Sequence, residues 1–289
     1  MSGAPLLFLV AESEPPEARE ARRRSVGRSS GETYLAVLRE LSPGARLDRV
    51  YPADACAELP RAAALAGYDA VFLTGSPLHL YEETPETRRE VDFMRAVFAS
   101  GTPAFGSCAG LQVATVAAGG SVRRISGPRE AAFARRITAT GAGRTHPLLA
   151  GRPAAYDAPA IHTDEVETLP EGATLLASNR HTPVQAAEIR SGGGVFWGVQ
   201  YHPEIGLDEV AGALRRQARG LIREGLARDP DEVEAHAALI EALHREPGRR
   251  DLAWRLGLDE EVTDPARRRA ELANFVDHLV RPTREERRA

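Results

Sequence analysis

A doubly wound, mainly parallel α/β sheet followed by a helical C-terminal extension is the fold class predicted by the 289-residue sequence. Three observations predict it. A continuous apolar run at Leu6 to Val10, and apolar-rich runs at Tyr68 to Thr74 and Val195 to Tyr201, are of the kind expected for buried strands. Stretches with helical apolar spacing lie between the early runs and a short strand that ends in a lone cysteine. Beyond residue 206 only helical spacing remains, carried by Leu207, Val210, Leu214, Leu221 and Ile222. The expected division is an α/β domain over 1–206 and a helical extension over 207–289.

Leu6 to Val10 is expected as the first strand. Glu12 to Ser30, rich in Pro, Arg, Glu and Ser without apolar periodicity, reads as a long mobile loop. It is either a solvated connection or a lid or docking segment beside the site. Tyr34, Leu35, Leu38 and Leu41 mark one helical face, and Leu47 to Tyr51 is the second strand. Tyr68 to Thr74 is the third and ends in Gly75-Ser76-Pro77. Pro85 opens the next helix, whose Val91, Met94, Val97 and Phe98 face the sheet. Strands alternating with helices imply right-handed crossovers and a site at the carboxyl ends of the strands.

Ala104 to Gly119 joins an apolar strand to an Ala-rich helix, with Cys108 at the bend. A thiol on a sharp strand-to-helix turn is lifted clear of the sheet, and the helix N-terminus favours the attacking thiolate. Such a bend tolerates only small neighbours, which accounts for Gly106 and Gly110. The amide of Ala109 would point into the same space and donate to an oxyanion. Far downstream, Val195 to Tyr201 runs into His202-Pro203-Glu204. A cysteine nucleophile needs a base, and the base an orienting group. His202 can take the thiol proton while Glu204 holds the other imidazole nitrogen.

Gly106-Ser-Cys108-Ala-Gly110-Leu-Gln112 together with His202-Pro-Glu204 resembles the class I, triad-type glutamine amidotransferases. The resemblance covers roughly residues 4–206 and is nearest to the amidotransferase domain of GMP synthase and its free-standing relatives. It implies a flavodoxin-like architecture with an antiparallel excursion after Gly120, where short β-rich pieces occur at 122–125, 132–138, 173–178 and 184–190. Arg190-Ser-Gly-Gly-Gly lies between two strands and reads as a hairpin turn. The resemblance implies that Gly75, or the Ser76 amide next to it, supplies the second oxyanion donor. It implies that Gln112 positions the substrate, with Ser76, His162 and Thr163 among the substrate-binding residues. Asp164 and Glu165 belong to that segment or to a solvated turn. The other histidines, His79 included, have no matching neighbours, and no pair has metal-ligand spacing. No metal site and no cofactor are expected.

The activity implied is hydrolysis of the glutamine side-chain amide through a thioester. Ammonia would pass to a separate synthetase, since the chain lacks a synthetase-type ATP loop. The same triad serves stand-alone γ-glutamyl amide or peptide hydrolases, and an inactive regulatory or binding subunit is a third reading. A formal charge of −4 argues against nucleic acid as a partner. All 37 basic residues are arginine, which excludes Schiff-base chemistry. Two cysteines are too few for a disulfide framework, and a reactive thiol suits a reducing cytoplasm. The early apolar run is too short to span a bilayer. Asp229 and Thr263-Asp264-Pro265 read as helix starts in the extension. There Leu272, Phe275, Val276 and Leu279 form a stripe for packing on the α/β core or on a second subunit of a homo-oligomer.

Overall fold

The computed structural model describes residues 4–287. Five parallel strands lie at its centre: β1 (Leu7–Ala11), β2 (Arg46–Val50), β3 (Ala70–Leu73), β4 (Ala104–Ser107) and β11 (Gly194–Val199). They are ordered β2-β1-β3-β4-β11, the flavodoxin-like arrangement. The sheet continues antiparallel through β10 (Ala186–Ser191), β9 (Ala173–Ser178), β6 (Phe133–Ala139) and β7 (Ala155–Pro159). The 190–194 segment is the expected hairpin between β10 and β11. A separate ribbon pairs β5 (Ser121–Arg124) with β8 (Asp164–Thr168).

Helices cover both faces. On one, α2 (Ser30–Leu41) packs Tyr34, Val37 and Leu38 against Phe8, Phe72 and Phe105. Its N-terminus is fastened by a capping box between Ser29 and Glu32. The opposite face carries the short α3 (Ala62–Leu65), then α4 (Pro85–Ser100) and α5 (Ala109–Ala117), which bury Val91, Met94, Val97, Leu111 and Val113. The extension begins with α6 (Leu207–Arg223), α7 (Pro230–Arg245) and α8 (Arg250–Leu256), which share a third core with Phe133 and Ile205.

The extension ends in a continuous helical run, Ala270–Phe275, Val276–Val280 and Arg281–Glu286, whose middle turn is a π-helix. Its stripe belongs to the sheet. Phe275 is fully buried, with ring centroids 5.4 Å from Phe72, 5.5 Å from Phe105 and 6.0 Å from Trp197. Among the described residues no helix is long and apolar enough to cross a membrane.

One expected loop is helical. Pro16–Val26 forms α1, ended by Gly27 in the left-handed conformation. It shows no apolar periodicity because it docks through charge and small side chains. Arg22 pairs with Glu209 of α6 at 3.0 Å, and Arg19 with Asp54 at 2.6 Å. Arg28, just beyond the helix, pairs with Asp208 at 2.6 Å. Amphipathic scanning registers apolar stripes and is blind to a helix held this way.

Candidate active site

The chain turns from β4 into α5 at Cys108, whose φ of 53° and ψ of −111° lie in a sparsely populated region. Such a residue costs on the order of 1–3 kcal/mol and persists only where its surroundings over-determine it. Here they do. The Cys108 amide donates to the Val199 carbonyl of β11 at 2.8 Å. Beneath it the elbow glycines touch: a Cβ on Gly106 would lie 2.9 Å from the Gly110 Cα, and one on Gly110 2.7 Å from the Leu73 carbonyl oxygen. Ala109 opens α5, so its N–H belongs to the first-turn donors that have no partner within the helix.

His202 follows β11, the strand beside β4, and its amide is anchored on the Pro159 carbonyl at 2.7 Å. Its Nδ1 lies 2.7 Å from Glu204 Oε1, and its ring lies beside Cys108 at the Gly75 position. Burial disfavours the imidazolium, but the Glu204 carboxylate and the Cys108 sulfur outweigh it and push the His202 pKa up to about 10. Gly75, after β3, closes the opposite side. A Cβ there would lie 2.7 Å from His202 Cε1 and 3.6 Å from Cys108 Cβ, so only glycine admits the imidazole.

Two residues that the sequence reading passed over complete this array. Ser107 Oγ donates to Glu204 Oε1 at 3.0 Å, and the Tyr34 hydroxyl lies 2.6 Å from Ser107 Oγ. A buried chain of hydrogen bonds thus runs from Tyr34 through Ser107 and Glu204 to His202, which lies beside Cys108. Ser107 adjoins the cysteine and had a positional signal. Tyr34 had none, because on a helical face it counts only as apolar.

The remaining candidates line the same cavity of about 450 Å³ with Cys108 and His202. Gln112 is buried, and its Nε2 donates to the Asp164 carbonyl at 3.1 Å and to Gln200 Oε1 at 3.2 Å. It therefore braces the 162–164 segment from below. Ser76 Oγ accepts from the Leu78 amide at 3.2 Å and shapes the turn after β3. Thr163 Oγ1 donates to Asp164 Oδ1 at 3.2 Å.

The His162 ring is engaged at both nitrogens: Nδ1 lies 2.9 Å from the Asp164 carbonyl, and Nε2 2.9 Å from Glu130 Oε2. Its side chain is packed into a buried network that also holds Asn179, Thr182 and Gln185. Asp164 and Glu165 are buried at the start of β8, not in a solvated turn. His79, given no role from sequence, lines the cavity with Nδ1 2.6 Å from Asp164 Oδ2. Its partner lies 85 residues away, beyond any spacing argument.

A thiol on a strained elbow, an imidazole held by a carboxylate, and amides around the sulfur form an arrangement able to attack an amide carbonyl and expel an amine. Known proteins agree with this chemistry. The family model for Glutamine amidotransferase class-I matches residues 36–216. A γ-glutamyl-L-1-hydroxyisopropylamide hydrolase from Pseudomonas sp is 36% identical, across 96% of this chain and 94% of that protein. A glutamine-hydrolysing GMP synthase from Leifsonia xyli subsp. xyli is 35% identical across 47% of this chain and 25% of its own length. In fold, a glutamine amidotransferase from Thermotoga maritima matches with a TM-score of 0.64 at 17% identity, covering 96% of this chain and 99% of that one. One from Methylobacillus flagellatus matches at 0.58 and 18%, covering 96% of both. The chain belongs to the class I glutamine amidotransferase family.

Proposed function

We propose that the protein hydrolyses γ-glutamyl amides through a Cys108-His202-Glu204 triad and releases an amine larger than ammonia. The observation that carries this reading is the extent of the cavity. From the triad it follows one face of α6 past Glu209, Ala213 and Gln217, a span of about 12 Å at the helical rise of roughly 1.5 Å per residue. The small side chains of Ala18 and Ala21 on α1 line it as well. Ammonia needs no such trough. The near full-length relative, by its name a γ-glutamyl amide hydrolase, supports the same reading.

The Cys108 sulfur attacks the δ-carbonyl carbon of the γ-glutamyl group. The Ala109 amide and the amide at Gly75 or Ser76 meet the developing oxyanion. His202 gives its proton to the departing nitrogen as the C–N bond breaks, leaving a thioester and a free amine. Neutral His202 then takes a proton from water as it adds to the thioester. Glutamate leaves, and the thiolate–imidazolium pair is restored. Glu204 orients His202 throughout. At the glutamyl end, Gln112 braces Asp164, while Ser76, Thr163, Asp164 and His79 line the wall; His162 holds the segment through Glu130. We assign the chemistry to residues 1–206 and one cavity wall to the 207–289 extension. A free thiolate of this kind suits a reducing cytoplasm.

The test is covalent labelling of Cys108 with a diazoketone analogue of glutamine, followed by turnover of γ-glutamyl-alkylamides and of glutamine by the protein alone. The proposal expects labelling and faster cleavage of the alkylamides. A second reading, glutamine hydrolysis serving a synthetase on another polypeptide, is favoured by the shared segment of the GMP synthases. It would give labelling, slow glutamine turnover, no alkylamide cleavage, and acceleration by the partner.

A further inference from the structure

Thr74 lies between the end of β3 and the Gly75-Ser76 turn, with no surface open to solvent. Its amide donates to the Ala11 carbonyl of β1 at 3.1 Å and keeps it in register with the sheet. Its Oγ1 accepts from the Ser13 amide at 3.0 Å and from the Ser30 hydroxyl at 3.1 Å, and donates to the Gly75 carbonyl at 3.0 Å. A hydroxyl has one proton and two lone pairs, so its whole capacity is spent. Both donors are themselves held. Ser13, buried just past β1, donates through Oγ to Glu90 Oε2 of α4 at 3.0 Å. Ser30 opens α2, and its amide donates to Glu14 Oε2 at 3.1 Å. One oxygen atom thus fastens the Gly75 carbonyl to the end of β1 and the start of α2.

That carbonyl belongs to the peptide nearest the sulfur on this side of the site. Gly75 faces the triad so closely that an added Cβ would lie 2.7 Å from His202 Cε1 and 3.6 Å from Cys108 Cβ. The Gly75-Ser76 peptide is trans and planar, so its carbonyl and the Ser76 N–H point in opposite directions. Holding the carbonyl on Thr74 therefore fixes the direction of the N–H. Among the described residues, neither the Gly75 amide nor the Ser76 amide donates to a backbone carbonyl, although both residues line the cavity with Cys108. Backbone donors away from bulk water are normally spent, and a pair left open at a cavity wall is available to a ligand.

We infer that Thr74 is a positioning residue, whose buried hydroxyl holds the Gly75-Ser76 peptide in the orientation that offers an amide to the oxyanion formed on attack by Cys108. This rests on the amide-hydrolase reading and adds the group that sets one side of its oxyanion site. The hydroxyl is the part that matters. A side chain of the same shape without it would leave the Gly75 carbonyl untethered and the Ser13 and Ser30 donors without their acceptor. The effect belongs to the transition state, because the substrate carbonyl oxygen gains its negative charge only there.

The experiment measures kcat and KM of the full chain for γ-glutamyl-pentylamide and for glutamine, in the unaltered protein, in Thr74→Val, which keeps the shape without the hydroxyl, and in Thr74→Ser, which keeps the hydroxyl. Thr74→Val is expected to lose at least about tenfold in kcat while KM changes by less than about threefold, since removing an oxyanion donor outright costs about 10²–10³ in kcat. The loss should be of similar size for both substrates, because the same carbonyl is attacked in each. Thr74→Ser should recover most of it. If Thr74→Val alone fails to fold, Thr74→Val combined with Ser30→Ala leaves one orphaned donor fewer and is read in the same way. A folded valine variant with undiminished kcat, or a serine variant as slow as the valine one, overturns the role of Thr74 and leaves the hydrolase reading intact. Absence of turnover of both substrates by the unaltered protein overturns both.

Discussion

The Ser107 hydroxyl donates to Glu204 Oε1 at 3.0 Å, so the residue directly before Cys108 grips the carboxylate that holds the His202 imidazole. Two segments of the site that lie 97 residues apart are thus joined by one hydrogen bond. Ser107→Ala removes a donor to a charged, buried acceptor, worth about 1.5 kcal/mol or more. If that loss is felt in the transition state, kcat falls roughly tenfold with little change in KM. Steady-state kinetics with an unchanged circular dichroism spectrum would check it.

Cys108→Ala should abolish amide hydrolysis, a loss of several orders of magnitude, while the protein still folds. Cys56, exposed and outside the cavity lining, should tolerate alanine with no kinetic effect. Near-normal turnover by folded Cys108→Ala protein, read in a discontinuous glutamate assay, would remove the thioester from the mechanism.

The alkaline limb of kcat/KM should lie near pH 10, where His202 gives up the proton that the leaving amine needs. Burial alone would lower this pKa, and Glu204 is the largest influence raising it. Glu204→Gln should therefore move the limb down by at least about one unit, while keeping more activity than Cys108→Ala. The same shift bears on stability. The folded pKa is raised above the unfolded value near 6.5, so its contribution is whole below that pH and is lost as pH rises through about 10. A pH–rate profile of the two proteins decides.

Glu90 is fully buried beside β1, and burial lifts its pKa to about 8 against the opposing hydrogen bond from Ser13 Oγ at 3.0 Å. The folded value again exceeds the unfolded one. Its contribution is present below about pH 4 and is lost as pH rises through about 8. Glu90→Gln abolishes this titration, so its melting temperature should change less between pH 5 and 9 than that of the unaltered protein. Parallel calorimetric scans over that range would measure the difference.

Phe275→Ala should cost about 3–5 kcal/mol of unfolding free energy, as a fully buried aromatic packed on Phe72, Phe105 and Trp197. Leu279, only partly buried on the same stripe, should cost less than half as much. Urea unfolding would rank the two. Equal and small losses would mean that the extension packs on the sheet more loosely than its contacts imply.

The sequence by itself determined the parallel half of the sheet and pointed to the groups proposed to react. Leu6 to Val10 and Ala70 to Leu73 are apolar without interruption because central parallel strands are buried on both faces. Cys108 and His202 could be singled out because an elbow needs small neighbours and a base needs an orienting acid within a turn. These are local constraints, and local constraints leave marks in a short window of residues. What only the tertiary structure decided were relationships between distant segments held by polar groups. The helix Pro16–Val26 was read as a loop because ion pairs with Asp54 and Glu209, not an apolar stripe, hold it. Strands β7 and β8 escaped notice because their pairing partners supply the order that their own sequences lack. His79 met Asp164, and Tyr34 met Ser107, only once the carboxyl ends of the strands were brought together. A polar group's importance depends on what it meets, and that is a property of the folded surroundings rather than of any stretch of chain.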